Sequence, residues 1–302
     1  MFSAEHYLDS TTDLGTVLTP KLEARGDMPI RLDIVPPRDH RGLYVAGSVL
    51  DRAGLAACLT DVDGVVHMAA WHGVHDVPNH PPQPLRKDVY AFWDLNVTGT
   101  FNVFEAAVQA SISNVVYLSS TSVRNRESVY GHTKVLGEEI ARTYAGRHGM
   151  NVVMLRPRGF IPHWNRAVYD SFVDWVRWFW RGAVHIDDVA EAVVQSIDLL
   201  AMTRLEAPLA LTVDGAYEYT DEDLAHWDAQ GPGSTFRRYY GAYKDMARRH
   251  RLAPEEKPFK YDLSETRRWL GYTPRYSLMD ALRELERYGP RPDLRIHMGD
   301  RG

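Results

Sequence analysis

The sequence has almost no cysteine and no long apolar run. Its single thiol, Cys58, excludes an internal disulfide, and the apolar residues around it predict a buried structural side chain, not a nucleophile. No apolar stretch approaches the roughly 18 residues that a membrane span needs, and Met1–Ser10 lacks the core of a signal peptide. These absences favour a cytoplasmic protein without a membrane partner.

An excess of one sign of charge is also missing. The 35 Lys and Arg residues stand against 40 Asp and Glu residues, so the formal net charge is only −5. Because basic and acidic residues are interspersed throughout, the sequence does not predict a surface for nucleic acid. A length of 302 residues with 44% hydrophobic content suits one α/β domain that carries a smaller lobe.

The chain does contain a regular alternation of short strands and amphipathic helices. The clearest elements are apolar runs at 64–70, 114–119 and 151–155 and helical patterns at 14–25, 94–110, 130–147 and 189–200. A less apolar first strand is predicted at 4–8 and another strand at 209–213. This alternation is typical of a doubly wound parallel sheet, so we predict an α/β, Rossmann-like fold.

Within the helix predicted at 130–147, Tyr130 and Lys134 are four residues apart and therefore share one helix face. A cation near a phenol favours the phenolate and can bring its pKa from about 10 towards neutrality. The two residues thus form a candidate proton-transfer pair. A simple surface pair is the alternative, because this spacing arises often by chance.

Seven short segments that include this pair follow one another along the chain. They are Gly64-Val-Val-His-Met-Ala-Ala70, Asn96-Val-Thr-Gly-Thr100, Val116-Tyr-Leu-Ser-Ser-Thr121, Tyr130-Gly-His-Thr-Lys134, Leu155-Arg-Pro157, Val184-His-Ile-Asp-Asp-Val-Ala190 and Leu270-Gly-Tyr-Thr-Pro274. Together they resemble the extended short-chain dehydrogenase/reductase family, the NAD-dependent epimerases and dehydratases. The resemblance runs from roughly residue 8 to residue 288.

This resemblance implies a division of the chain into a Rossmann-like domain and a smaller C-terminal substrate lobe. The implied boundaries are 1–160 and 184–202 for the Rossmann-like domain, 161–183 and 203–290 for the lobe, and 291–302 for a tail. The family often dimerises through the helices that hold Asn96 and Tyr130, so the resemblance also implies a homodimer.

The resemblance assigns roles to the candidate catalytic residues. Tyr130 would be the acid/base, and Lys134 would lower its pKa while holding the nicotinamide ribose. A hydroxyl after the strand at 114–119 would bond the reacting oxygen of the substrate, with Thr121 as the first candidate and Ser120 as the second. A side chain just beyond the carboxyl end of a parallel strand lies where this fold places ligands.

NAD or NADP is the implied cofactor. Asp33 matches the acidic residue that binds the adenosine ribose in NAD-dependent members. Ala69 and Ala70 would line the cofactor cleft, although plain strand–helix packing also explains two alanines there. Gly15 matches the third glycine of the family's Gly-x-x-Gly-x-x-Gly turn, which brings the backbone close to the pyrophosphate.

The first two glycines of that turn are missing, because Asp9 and Thr12 occupy their positions. A carboxylate at the turn would repel the phosphates of a dinucleotide. The sequence therefore describes a divergent member of the family with a degraded glycine-rich turn.

Candidate substrate contacts lie in the loops after the strands. His72 follows the strand that borders the nicotinamide pocket in the family, and Arg124 and Arg158 would hold a phosphate or carboxylate, with solvated loop charges as the alternative. A metal site that adds His75 and His80 is not predicted, because the spacing is irregular and the loop is rich in proline.

Three functions remain open at this point. The first is an NAD(P)-dependent epimerase, dehydratase or dehydrogenase that acts on a hydroxylated small molecule. The second is a redox-silent isomerase or lyase that uses Tyr130 and Lys134 without a bound dinucleotide, as the broken turn suggests. The third is a non-catalytic binding relative, which would have no need to keep the Tyr, Lys and Thr together.

Overall fold

The computed structural model describes residues 2–3, 13–37, 39–76 and 86–291, which contain one sheet of seven parallel strands. The strands are β1 (Phe2–Ser3), β2 (Ile30–Asp33), β3 (Leu43–Ala46), β4 (Gly64–His67), β5 (Asn114–Leu118), β6 (Asn151–Pro157) and β7 (Leu209–Val213). Their order across the sheet is β3-β2-β1-β4-β5-β6-β7. The order reverses between β1 and β4, which is the place where doubly wound sheets bind ligands.

Helices cover both faces of the sheet. They are α1 (Asp13–Ala24), α2 (Arg52–Cys58), α3 (Val89–Phe92), α4 (Thr100–Gln109), α5 (Val129–His148), α6 (Phe172–Trp180), α7 (Ile186–Met202), α8 (Asp221–Ala225), α9 (Trp227–Gln230), α10 (Ser234–Tyr240), α11 (Lys244–Arg249), α12 (Ser264–Leu270) and α13 (Leu278–Tyr288). A π-helical stretch, Trp93–Gly99, joins α3 to α4. Helices α1 and α7 pack together on one face, while α2, α4 and α5 share the other.

The start of α5 is fixed by a cap. The hydroxyl of Ser128 accepts a 3.0 Å hydrogen bond from the backbone N–H of Gly131, and Gly149 ends the helix with a φ of 62°. Tyr130 is therefore the second residue of the helix, and Lys134 lies one turn further along the same face.

Each face of the sheet has its own apolar core. A third, aromatic core lies beyond the sheet and contains α6. Trp175 is fully enclosed there, and its indole N–H donates to the Ile161 carbonyl at 2.9 Å. Asp188, at the start of α7, accepts hydrogen bonds from the backbone N–H groups of Arg275 and Tyr276 at 2.9 and 3.1 Å. These bonds hold the segment before α13 against the sheet region.

The predicted α/β class and the doubly wound parallel sheet are confirmed. One predicted boundary is wrong, namely the one that places all of residues 203–290 in the substrate lobe. Leu209–Val213 instead pairs with β6 and forms the edge strand of the sheet. The division into domains otherwise stays a prediction.

Other differences concern the ends of elements. The strand predicted at 64–70 ends at His67, and the helix predicted at 94–110 begins earlier and includes the π-helical stretch. The structure has its first strand at Phe2–Ser3, whereas residues 4–8 lie outside the described residues, as does 292–302 of the predicted tail. Within the described part of the chain, no helix combines the length and apolarity needed to cross a membrane.

Candidate active site

A cavity of about 630 Å³ lies at the carboxyl edge of the sheet, where β4, β5 and β6 end. The segments that follow these three strands form much of its wall, and the starts of α1 and α5 and one side of α6 complete it. The lining residues that matter most below are Asp13, His72, Ser120, Tyr130, Lys134 and Arg158. Its position at the end of parallel strands is the usual place for a ligand in this fold.

Tyr130 and Lys134 both face this cavity, as their spacing predicted. The ammonium of Lys134 lies 5.9 Å from the centre of the Tyr130 ring and donates a 2.8 Å hydrogen bond to the Leu118 carbonyl at the end of β5. The backbone N–H of Tyr130 donates to the Asp76 carboxylate at 3.1 Å, which ties the start of α5 to the loop after β4.

Burial dominates the electrostatics of both side chains. It raises the pKa of Tyr130 to about 12, against a hydrogen bond with Ser120 that lowers it. Burial also lowers the pKa of Lys134 to about 7, against the nearby Glu138 carboxylate that raises it. The phenol pKa is therefore raised in this structure and not lowered as expected, because the loss of solvent around the phenol is the largest effect on it.

The position of Ser120 is better suited to the predicted hydroxyl role than that of Thr121. Ser120 lines the cavity together with Tyr130, and its hydroxyl opposes the rise in the pKa of the Tyr130 phenol that burial causes. The Thr121 hydroxyl instead donates to the Pro157 carbonyl at 3.4 Å, and Thr121 is not among the residues of the cavity wall. The chain leaves β5 in an extended conformation at Ser120 and then enters a 3₁₀ turn, which directs the two neighbouring side chains to different sides.

Asn96 supports the wall from the π-helical stretch. Its amide oxygen accepts a 2.7 Å hydrogen bond from the backbone N–H of Trp71, and its amide nitrogen donates to the Trp71 carbonyl at 3.1 Å and to the Thr133 hydroxyl at 3.0 Å. Thr133 in turn donates to the Tyr130 carbonyl at 2.9 Å. Asn96 thus connects the segment after β4 to the first turn of α5.

Four of the predicted cofactor residues lie at or just beyond the carboxyl ends of β2 and β4 and in the first turn of α1. Asp33 is buried at the carboxyl end of β2, and one of its oxygens accepts a 3.1 Å hydrogen bond from the Val35 N–H. Ala69 and Ala70 are buried directly after β4, and Gly15 is buried in the first turn of α1. A carboxylate at the end of β2 and small residues after β4 suit a dinucleotide along the sheet edge.

The structure describes only the last part of the predicted phosphate-binding turn. Asp9 and Thr12 lie outside the described residues, but Asp13 begins α1 and lines the cavity. Its carboxylate accepts a 2.9 Å hydrogen bond from the Asn165 amide. A carboxylate already complements the positive end of the α1 dipole there, so this position opposes an added phosphate.

The three predicted substrate residues have different surroundings. His72 and Arg158 line the cavity, whereas Arg124 is exposed and lies 4.4 Å from the centre of the Tyr261 ring, outside the cavity wall. The structure therefore does not bring Arg124 to the cavity, because the short loop before α5 turns this side chain outward. Arg158 donates to the Tyr217 hydroxyl and the Phe259 carbonyl at 3.0 and 2.8 Å, so it also joins distant segments.

Sequence reasoning missed the basic residues that the third core brings to the cavity, namely Arg177, Arg181 and Arg251. Arg177 is held by Asp174 at 2.8 Å and by the His250 carbonyl at 2.7 Å. These residues are distant from the seven segments in sequence, and no local pattern distinguishes them from surface arginines. In the described residues no group of three or more His, Cys, Asp or Glu side chains suits a metal ion, and His80 lies outside them.

Comparison with known proteins finds similarity over parts of the chain. A family model described as polysaccharide biosynthesis protein matches residues 37–157. An L-arabinose 1-dehydrogenase (NAD(P)(+)) of Haloferax volcanii is 30% identical over 41% of this chain and 56% of its own length. A uronate dehydrogenase of Pseudomonas putida is 27% identical over 47% of this chain and 56% of its own length. The chain spans about half the length of the curated relatives it matches.

The fold has matches among solved structures over nearly its whole length. MoeE5 in complex with UDP-glucuronic acid and NAD superimposes with a TM-score of 0.65 at 19% identity, covering 93% of this chain and 96% of that one. At this level of identity the likeness shows a shared fold.

Proposed function

We propose that the protein is an NAD(P)-dependent epimerase, dehydratase or dehydrogenase that acts on a hydroxylated small molecule of the nucleotide-sugar type. The observation that carries this proposal is the meeting of Ser120, Tyr130 and Lys134 in one cavity at the carboxyl edge of the sheet. A non-catalytic relative would have no need for a phenol, a hydroxyl and a buried ammonium at one place. The named relatives are sugar dehydrogenases, which supports the same class.

In this proposal Tyr130 exchanges a proton with the substrate oxygen. Because its pKa is about 12, the phenol is protonated at neutral pH and is ready to donate to a developing alkoxide. In the opposite direction it accepts the hydroxyl proton of the substrate. Ser120, in the same cavity wall, supplies a second hydroxyl for the same substrate oxygen.

Lys134 assists the proton transfer by Tyr130 through its charge. Its pKa of about 7 leaves a mixture of ammonium and amine near neutral pH. The ammonium stabilises negative charge on the phenol oxygen during the transfer, and its bond to the Leu118 carbonyl holds it beside the ring.

The residues that would hold the dinucleotide are Asp33 at the adenosine ribose, Ala69 and Ala70 along the cleft, and Lys134 at the nicotinamide ribose. A bound nicotinamide supplies reversible hydride transfer at a carbinol carbon. MoeE5 and other solved relatives contain NAD, which supports NAD or NADP here. Asp33 favours NAD, since its carboxylate would repel a 2′-phosphate.

The basic end of the cavity supports an anionic substrate group. Arg158, Arg177, Arg181 and Arg251 line it together, and guanidinium groups bind phosphates and carboxylates in bidentate fashion. This arrangement suits the diphosphate of a nucleotide sugar or the carboxylate of a uronate.

A redox-silent isomerase or lyase is the second candidate, and Asp13 favours it. Its carboxylate lines the cavity at the start of α1, where the family needs to accept pyrophosphate. If the turn no longer binds a dinucleotide, Tyr130 and Lys134 still supply proton transfer to an enolisable substrate.

We also propose a homodimer formed through α3, the π-helical stretch, α4 and α5. The support is a set of exposed apolar side chains on these helices: Tyr90 is 79% exposed, Trp93 50% and Phe101 43%. Light scattering of the wild type and Trp93→Glu tests this, since a monomer in both would contradict it.

One assay tests the enzymatic proposal. The protein is incubated with NAD and, in separate arms, UDP-glucose, UDP-glucuronic acid and free uronates, with NADH absorbance and product chromatography as readouts. We expect turnover in one arm and a loss of about 10²–10⁴-fold in Tyr130→Phe, with Tyr90→Phe as the exposed control. Equal turnover in Tyr130→Phe and wild type would remove Tyr130 from the mechanism.

A further inference from the structure

Glu138 is a buried carboxylate one helical turn beyond Lys134 on α5. Only 2% of the residue is exposed, yet its two oxygens accept hydrogen bonds from three side chains. Ser119 donates at 2.7 Å, Arg156 donates through Nε at 2.7 Å and through a terminal nitrogen at 2.5 Å, and Arg142 donates at 2.9 Å. This is a complete set of partners for a buried anion.

The partners of Glu138 come from three elements that form the active site. Ser119 directly follows β5 and precedes Ser120, Arg156 belongs to β6, and Arg142 belongs to α5 itself. The carboxylate therefore fastens the end of β5 and the end of β6 to the helix that carries Tyr130. Since Ser119 and Ser120 are adjacent, this anchor also fixes where the Ser120 hydroxyl lies.

Several charged or titratable groups surround Lys134. Glu138 and Tyr130 face it from its own helix, Tyr117 from β5 with its ring centre 5.2 Å from Nζ, and His67 from β4. Burial lowers the pKa of Lys134, and Glu138 opposes that effect. His67 stays neutral near pH 7, because burial lowers its pKa to about 3.

Glu138 itself remains ionised near neutral pH. Burial alone would raise its pKa, but the hydrogen bonds from Arg156 and Ser119 outweigh burial and hold the pKa below its usual value. Bidentate bonding by Arg156 explains how a carboxylate with so little solvent keeps its charge.

We propose that Glu138 is a positioning residue for the proton-transfer pair: its carboxylate stabilises the ammonium form of Lys134 beside Tyr130 and anchors the Ser119–Ser120 segment against α5. The inference rests on the proposed function for the roles of Tyr130, Lys134 and Ser120. It assigns no contact between Glu138 and substrate.

The test measures the protonation of Lys134 directly by NMR in the cofactor-free protein. The six lysines are labelled with ¹³C and ¹⁵N, and the Lys134 side-chain signal is assigned as the one lost in Lys134→Arg. In Glu138→Gln we expect the titration midpoint of Lys134 to fall by about one pH unit or more, because an opposing charge has been removed. Glu139→Gln is the matched control, since Glu139 is exposed and also pairs with Arg142.

A midpoint unchanged in Glu138→Gln, or shifted equally in Glu139→Gln, would overturn the proposal. If Glu138→Gln does not fold, Glu138→Asp is measured instead, because the shorter aspartate keeps the negative charge but places it farther from Lys134. A smaller downward shift then supports the proposal and an unchanged midpoint overturns it. No step needs substrate or NAD, so a protein without turnover would count against the proposed function and leave this result intact.

Discussion

The Ser120 hydroxyl and the Tyr130 phenol face the same cavity, where burial raises the pKa of the phenol and the hydroxyl opposes that rise. Ser120 reaches this position because it leaves β5 in an extended conformation and caps the 3₁₀ turn that follows, accepting a 3.0 Å hydrogen bond from the Ser122 N–H. Thr121, the next residue, turns towards the Pro157 carbonyl. A hydroxyl that shares the cavity with the phenol is the one suited to act on the substrate oxygen.

Exchanging the two hydroxyls for methyl groups tests this arrangement. Ser120→Ala is expected to lower kcat/KM by roughly 10- to 1000-fold, because it removes the proposed hydrogen bond to the reacting oxygen of the substrate. Thr121→Ala serves as the matched variant and is expected to change kcat/KM by less than about tenfold. Steady-state kinetics of both variants measures which loss in kcat/KM is larger. A larger loss in Thr121→Ala would contradict the assignment of Ser120.

Gly137 allows α5 to lie close to β5. A Cβ added to Gly137 would overlap the phenol oxygen of Tyr117, whose ring lies beside Lys134. We expect Gly137→Ala to lower the free energy of unfolding by about 1–3 kcal/mol through overpacking, although alanine is the better helix former.

Gly146 is the control for this substitution because it belongs to the same helix and has no neighbour within 4 Å of an added Cβ. Gly146→Ala is expected to raise the free energy of unfolding by about 0.5–1 kcal/mol. Urea denaturation of both variants is the measurement. Stabilisation by Gly137→Ala would show that the helix and strand are less closely packed than described.

His67 predicts how stability depends on pH. Burial lowers its folded-state pKa from 6.5 to about 3, while its Nε2 lies 2.9 Å from the Thr100 hydroxyl. Between these two pKa values the unfolded chain binds the proton and the folded protein does not, so stability falls as pH decreases below 6.5. The loss attributable to His67 is up to about 1.4 kcal/mol per pH unit.

Denaturation of wild type and His67→Gln between pH 4 and 7 measures this contribution, with the exposed His132→Gln as control. His67→Gln is expected to have the shallower decline towards acid. Asp188, whose pKa burial raises to about 6, acts in the opposite direction but is present in every variant and cancels in the comparison. If stability falls equally steeply towards acid pH in wild type and His67→Gln, the result would contradict a buried neutral histidine at position 67.

Local patterns were sufficient for much of the fold. The helical pattern at 130–147, with Tyr130 and Lys134 on one face, predicts α5 to within one residue at each end. Continuous apolar runs likewise identify the central strands, because both faces of a parallel sheet are covered.

The remainder depends on packing between distant segments. The arginines at 177, 181 and 251 reach the cavity only because the aromatic core around Trp175 packs beyond the sheet. Which of Ser120 and Thr121 faces the cavity depends on where β5 ends, because a shift of one residue reverses the direction of a side chain. The pKa of Tyr130 depends on the loss of solvent, which spacing along a helix does not reveal.

Dinucleotide binding is the central claim, and titration of the purified protein with NADH, followed by nicotinamide fluorescence and calorimetry, tests it most directly. We expect saturable binding below about 1 mM that weakens roughly tenfold or more in Asp33→Ala. Asp27→Ala, at the opposite end of β2, is expected to bind as the wild type does. Absence of binding to the wild type at millimolar NADH and NADPH would contradict the account and favour a redox-silent enzyme.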